Sequence, residues 1–251
     1  MKIIRFSTTK YPDNYGWLLD NEIGLIEGEI FSEYRRLETV LSLDRVTILP
    51  PVVPSKIICI ARNYVDHARE RNAEIPETPM IFLKPPSAII QPGVPIRIPP
   101  QSTQVEHEAE LAIVIGKEGR WIDPQDAHAY IFGFTIANDV TARDLQQTES
   151  QWTRAKGFDT FCPLGPWIET ELDTTDLLIT CKVNGELRQM ASTKEMIFPV
   201  PQIVSFVSNI MTLVPGDVIL TGTPAGVGIL EPGDKVDITI EGIGSLSNPV
   251  N

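Results

Sequence analysis

The segment Glu106-His107-Glu108-Ala109-Glu110 runs directly into Leu111-Ala112-Ile113-Val114-Ile115-Gly116, so an acidic stretch is continuous with β-branched core sequence. Read as a β-strand, it places its three glutamates on one face, because alternate strand residues share a side. A rise of ~3.3 Å per residue starts the carboxyl groups of Glu108 and Glu110 ~7 Å apart, near enough to bend toward one point. On a helix they would diverge. Like charges facing one another in a partly buried place are costly unless something positive joins them, and a divalent cation with hard oxygen ligands is the simplest remedy. The segment predicts a metal site; a solvated strand edge carrying protective charge is the competing account.

Other chemistries find less support. The chain has three histidines, His67, His107 and His128, and no H-E-x-x-H pair, which argues against a zinc hydrolase. No G-x-S-x-G elbow offers a serine nucleophile. The stretch Gly222-Thr223-Pro224-Ala225-Gly226-Val227-Gly228 follows a strand but lacks the Gly-Lys-Ser/Thr of a phosphate loop. It reads either as a tight turn or as backbone that approaches a ligand while Thr223 donates a hydrogen bond to a carboxylate. Cys59, Cys162 and Cys181 are an odd, widely spaced set, which disfavours disulfides and a thiolate zinc site and points to a reducing compartment. A net charge of −12 without a clustered basic face disfavours nucleic acid. No window approaches the ~20 apolar residues of a membrane helix, so the expectation is a cytoplasmic protein with no membrane partner.

The elements that must hold these residues are mostly strands. With 251 residues, the chain is long enough to bury about 70 to 75% of its unfolded surface without staples. The first fifty residues read as short strands and turns, as in Gly16–Leu19 and Ile23–Ile26 around Asp20-Asn21-Glu22. Pro50-Pro51-Val52-Val53-Pro54 interrupts them, dividing a small β domain (1–50) from a main domain (51–251). Then follow a buried strand at Lys56–Ile60, a short polar helix from Val65 to about Asn72, and a proline-dominated stretch from Pro76 to Pro100 that reads as a surface loop. Asp123-Pro124 starts a helix. Phe132–Asp139 is a strand ending on an acid, and Ile203, Val204, Phe206, Val207, Ile210 and Met211 recur at helical spacing as a core stripe. Two Pro-Gly-Asp turns, at Pro215 and Pro232, introduce Val218–Thr221 and Lys235–Ile240. Strands succeeding one another across turns predict an α+β, mainly β architecture rather than a doubly wound sheet.

Four ordered motifs carry a resemblance. Glu108-Ala109-Glu110-Leu111, Asn138-Asp139-Val140-Thr141-Ala142-Arg143-Asp144-Leu145-Gln146, Lys156-Gly157-Phe158-Asp159 and Leu220–Gly228 resemble the fumarylacetoacetate hydrolase family, over roughly Pro54 to the carboxyl end. Ala61–Glu70 and Val183–Gln189 resemble its acylpyruvate hydrolase and oxaloacetate decarboxylase branch, with Ala61 where that branch usually has glycine. The resemblance implies a rolled, mixed β-sandwich, a small amino-terminal β domain and a homodimer. It also implies that Glu108, Glu110 and Asp139 bind Mg²⁺ or Mn²⁺, in agreement with the strand argument.

His67 and Glu70 stand at i, i+3, so the carboxylate can orient the imidazole and raise its basicity. An anonymous pair at this spacing is more often an exposed ion pair; the resemblance instead makes it a base dyad on a lid helix over the metal. In the same way it turns Lys156 into the site, to hold a substrate carboxylate or oxyanion. Arg62, Gln146 and Thr223 are weaker candidates for substrate contacts, and Arg143 is a candidate structural residue. The implied substrate is a small 2-oxo acid whose enolate charge the cation stabilises. Hydrolytic C–C cleavage of an acylpyruvate, with water activated by His67 and Glu70, is the first expectation. Decarboxylation or tautomerisation of oxaloacetate is the second, isomerisation of a longer unsaturated oxo-dicarboxylate such as 2-hydroxyhepta-2,4-diene-1,7-dioate the third, and a non-catalytic carboxylate-binding protein a remote fourth.

Overall fold

Turns and prolines, rather than long helices, separate successive elements in the computed structural model, which describes residues 1–251. The leading unit contains β1 (Lys2–Ser7), β2 (Asn14–Leu19), β3 (Glu22–Gly28), β4 (Tyr34–Ser42) and β5 (Thr47–Ile48). After the proline cluster come β6 (Ile57–Ala61), α1 (Val65–Glu70), β7 (Met80–Lys84), β8 (Ile89–Ile90), β9 (Val105–Glu106), β10 (Ala109–Ile115), β11 (Ile131–Asn138) and β12 (Thr141–Ala142). Helices α2 (Arg143–Thr148) and α3 (Thr153–Lys156) lead to β13 (Cys162–Glu169), β14 (Leu178–Val183) and β15 (Glu186–Ser192). The chain closes with α4 (Val200–Ile210), β16 (Val218–Leu220), β17 (Lys235–Ile240) and β18 (Gly244–Pro249).

Two layers result, and both sheets bury one face against the other. The main sheet runs β4-β3-β2-β1-β13-β11-β10-β16-β6-β7, with β16 and β6 parallel and most other pairs antiparallel; the second runs β15-β14-β17-β18. Leu111, Ile113 and Ile115 of β10 pack with Ile179 and Val183 of β14, Ile238 of β17 and Ile203, Val204 and Val207 of α4 in one core. The alternate residues Ala112 and Val114 enter a second core on the opposite face, with Ile3, Ile57, Leu164 and Leu220. Burial on both faces explains why β10 reads as a continuous apolar run. This is the mainly β, mixed-sheet architecture expected from the sequence.

The leading unit continues the main sheet, since β1 pairs with β13 through Lys2↔Glu169 and Ile3↔Ile168. Its β2–β3 hairpin turns on Asp20 (φ 46°) and Asn21 (φ 67°), two residue types that tolerate the left-handed backbone a two-residue hairpin demands. The Pro76–Pro100 stretch is not all surface loop, because Met80–Lys84 forms an edge strand against β6. Its apolar residues fit the sheet, and the prolines flank the strand instead of interrupting its ladder. In α4, Ile203, Val204 and Val207 are buried as expected, whereas Ile210 faces solvent and Met211 lies beyond the helix end. The Asp123-Pro124 start opens a 3-10 helix, with the Asp123 carboxylate capping the N–H of Gln125 at 3.0 Å. The cysteines are free and buried, and no helix is long and apolar enough to cross a membrane.

Candidate metal centre and its cavity

Strand register brings the acids together. β10 and β11 pair with Ala109↔Asn138 and Glu110↔Ala137, and the Asp139 N–H donates to the Glu108 carbonyl at 2.9 Å. Asp139 therefore stands across from Glu108, and Glu110 follows two residues along the same face. Oxygens of Glu108, Glu110 and Asp139 all lie within 4.8 Å of one another, and all three residues are buried. The acidic strand expected from Glu106 to Gly116 is broken, however. His107 N–H donates to the Gly228 carbonyl at 3.2 Å and Glu108 N–H to Asn138 Oδ1 at 2.9 Å, so β9 and β10 are separate pieces. Glu106 belongs to a neighbouring ion-pair network: its carboxylate accepts from Arg143 Nε at 2.8 Å, Gln104 Nε2 at 2.7 Å and Arg71.

The three clustered acids have unequal surroundings. Burial opposes the charge of Glu108, but Lys156 and Arg143 outweigh it and hold this carboxyl below its usual range. Glu110 is pushed the other way, by burial and by the negative charges of Asp139 and Glu108. Its one fixed donor is the Gly222 N–H, 2.7 Å from Oε2. Gly222 adopts φ +96°, and a Cβ there would meet Asn63 Cβ at 2.7 Å, so the loop approaches Glu110 because this residue has no side chain. Lys156 Nζ donates to Glu108 Oε2 at 2.7 Å and to Asp139 Oδ2 at 2.5 Å. Lys84 Nζ is 2.7 Å from Asp139 Oδ1 but off the line of a hydrogen bond, which leaves that buried oxygen with unused acceptor capacity. An all-oxygen set containing one carboxyl whose ionisation the fold opposes and one under-satisfied oxygen fits a hard divalent cation. Glu108, Glu110 and Asp139 are the residues that would hold it.

These acids open into a cavity of about 310 Å³, at the small end of ligand pockets. Of the residues expected to contact substrate or do chemistry, His67, Lys156, Arg62, Gln146 and Thr223 line it. His67 is buried, with Nδ1 3.4 Å from Glu70 Oε2; Glu70 lies outside the lining and also accepts the Gly226 N–H at 3.0 Å. Burial lowers the proton affinity of His67, and Glu108 partly restores it. Arg62, held at φ 55°, makes no ion pair, whereas Arg71, Arg143 and Lys156 each face a carboxylate. Gln146 accepts a hydrogen bond from Arg143. The hydroxyl of Thr223 donates to the Ala109 carbonyl at 3.0 Å, while the backbone N–H of neighbouring Gly222 serves the Glu110 carboxylate. Arg143 does more than brace the fold, since it spans Glu106 and Glu108.

Lys84, Arg71 and Gln189 escaped the sequence reading. Lys84 carried a signal, a lysine closing an apolar strand, and Gln189 closed the Val183–Gln189 motif, which did not show what its side chain binds; nothing local marked Arg71. Residues 56–251 match the Fumarylacetoacetate (FAA) hydrolase C-terminal model, and residues 1–51 the Rv2993c-like N-terminal model. An uncharacterized protein of Methanocaldococcus jannaschii is 58% identical over 199 residues, 79% of this chain and 84% of its own length. The mitochondrial oxaloacetate tautomerase FAHD2B of Bos taurus is 47% identical over 224 residues, 84% of this chain and 71% of its own. Among solved structures, the 2-hydroxyhepta-2,4-diene-1,7-dioate isomerase of Mycobacterium marinum is 45% identical, with a TM-score of 0.92 and coverage of 100% of this chain and 98% of that one. With a match that spans the whole cavity-bearing region, the chain belongs to the fumarylacetoacetate hydrolase family.

Proposed function

We propose that this chain is a divalent-metal-dependent enzyme that moves a proton between carbon and oxygen of a small 2-oxo dicarboxylate, tautomerising an oxaloacetate-like substrate. The observation that carries the reading is the convergence, in one cavity of about 310 Å³, of a three-carboxylate cluster, a buried imidazole and an unpaired guanidinium. The oxaloacetate tautomerase and dienedioate isomerase among the relatives support proton transfer as the shared chemistry.

A cation held by Glu108, Glu110 and Asp139 supplies Lewis acidity toward the negative charge that develops on the oxo-acid oxygens. His67, whose low proton affinity keeps it neutral near pH 7, takes up and returns the proton, and Glu70 fixes its ring. Lys156 adds a second positive charge beside the cluster, against the face of Phe82 with Nζ 5.0 Å from the ring centroid. Arg62 is free to receive the distal carboxylate, and Gln146 lines the same cavity. Burial of the acids, the base and Lys156 restricts water around the reacting carbon.

Hydrolytic cleavage of an acylpyruvate is the second reading, favoured by the contact between His67 and Glu70, which suits activation of a water. Oxaloacetate, acetylpyruvate and fumarylpyruvate offered with Mg²⁺ separate the two. Loss of enol absorbance of oxaloacetate without pyruvate release is the expected result. Pyruvate produced faster than enol is consumed from oxaloacetate, or cleavage of acetylpyruvate in preference, would replace tautomerisation by C–C bond cleavage. Arg62→Met is expected to raise KM for oxaloacetate at least tenfold, in keeping with the loss of one charge-assisted carboxylate contact.

A further inference from the structure

We infer that Gln189, on the second sheet, is a positioning residue that clamps the metal-ligand strand. The inference rests on the metal reading of Glu108, Glu110 and Asp139. The Gln189 side chain has no solvent exposure and uses all of its hydrogen-bonding capacity. Its Oε1 accepts from the Ala109 N–H at 3.1 Å and from His107 Nδ1 at 3.0 Å. Its Nε2 donates to Thr223 Oγ1 and to the Pro224 carbonyl, both at 2.8 Å. Thr223 passes its own proton to the Ala109 carbonyl at 3.0 Å. Both polar backbone groups of Ala109 are thus tied to this amide, one directly and one through Thr223, and Ala109 is the residue between the ligands Glu108 and Glu110.

The orientation of the amide follows from its partners. A backbone N–H can only donate and a proline carbonyl can only accept, so Oε1 faces Ala109 and the NH₂ faces Pro224. His107 must then present Nδ1–H to Oε1. The sheet is shaped for the contact. Cys181 pairs with Gln189 but Lys182 pairs with Leu187, so Arg188 is an extra residue in β15, a bulge that re-aims the side chain beside it. Gly226 seals the junction, since a Cβ there would stand 2.1 Å from the Arg188 carbonyl. The same loop gives its Gly222 N–H to Glu110 and its Gly226 N–H to Glu70, so one amide on the second sheet is tied to the loop that contacts both a ligand on β10 and the dyad residue on α1.

Mn²⁺ affinity, measured by electron paramagnetic resonance titration on full-length wild type, Gln189→Leu, Thr223→Val and Glu110→Gln, tests the clamp. Partners that orient metal ligands are worth roughly 10–100-fold in affinity, so Gln189→Leu is expected to weaken Mn²⁺ binding by about that factor, and Thr223→Val, which removes both bonds of the relay but leaves Gln189 Oε1 on Ala109 and His107, by about threefold to tenfold. Circular dichroism establishes that each variant is folded, and if Gln189→Leu is not, Thr223→Val decides. Folded variants that bind Mn²⁺ within twofold of wild type while losing thermal stability would make Gln189 a structural residue only and overturn the clamp. A wild type that takes up no Mn²⁺, or a Glu110→Gln variant with wild-type affinity, would overturn the metal reading and the clamp with it.

Discussion

Glu110→Gln removes one charge from the buried cluster while keeping its shape, and its effect changes sign with the metal. In EDTA, wild type holds a buried carboxyl whose ionisation is opposed by burial and by Asp139 and Glu108. The glutamine keeps an acceptor for the Gly222 N–H and offers donors to the neighbouring anions, so the variant is expected to melt at or above the wild-type temperature. The pH dependence fixes the sign. A carboxyl raised above its unfolded value of about 4.3 binds more protons in the folded state, so it opposes folding increasingly as pH climbs above that value. The advantage of the variant in EDTA therefore grows from pH 5 toward neutrality and disappears in acid. With metal at 100 times its Kd, wild type gains about 2.7 kcal/mol, which for a chain of this size is about 5–11 °C. Losing an anionic ligand worth roughly 100-fold in affinity leaves a gain of about 0.4 kcal/mol at the same concentration, or ~1 °C. Differential scanning fluorimetry with EDTA or Mn²⁺ reads both. A variant several degrees less stable than wild type in EDTA, or one that keeps the full metal-induced rise, would refute the frustrated-carboxylate account.

His67→Asn is expected to lower kcat about 10²–10⁴-fold and to abolish the acid limb of the kcat/KM profile, which in wild type lies below pH 6.5 because burial lowers the proton affinity of His67; an unchanged limb in the variant would assign it elsewhere. Gly222→Ala forces alanine into a left-handed backbone and against Asn63, so a loss of about 1–2 kcal/mol, or roughly 2–8 °C, is expected by thermal melting, with weaker Mn²⁺ binding. Burial pushes the thiols of Cys162 and Cys181 up to about 12, and Cys59 is also raised, so native protein at pH 8 is expected to resist iodoacetamide while denatured protein takes three labels by mass spectrometry.

Local periodicity made the ligand pair legible. Glu108 and Glu110 share a face because strand side chains alternate, and the Asp20-Asn21 hairpin announces itself by residue type. Asp139 needed either the family resemblance or the β10–β11 register, which pairs positions about thirty residues apart. Glu106 obeyed the same alternation but left the cluster, because Arg71 and Arg143 arrive from distant parts of the chain and because His107 and Glu108 give their N–H groups to Gly228 and Asn138. The strand Met80–Lys84 was hidden by the prolines around it, and with it Lys84, a cation at Asp139. Gln189 could not be read from spacing at all, since its importance lies in four partners on two other segments.

Charge balance links the cluster to the proposed substrate. Glu106, Glu108, Glu110 and Asp139 are matched by Arg71, Arg143, Lys156 and Lys84, so the buried network is electrically even when fully ionised. A divalent cation leaves an excess of two positive charges in a place where uncompensated charge is costly. A dianion restores the balance and a monoanion does not, so the proposed preference for a dicarboxylate has a source beyond the single contact at Arg62. The two sources separate experimentally: Arg62→Met removes the distal contact but leaves the two excess charges of the ion-pair network, to which Arg62 does not belong, so oxalate, a dianion too short to need Arg62, should inhibit this variant as strongly as wild type. Equal weakening of oxalate and oxaloacetate by the substitution would locate both preferences in Arg62 and remove charge balance from the account.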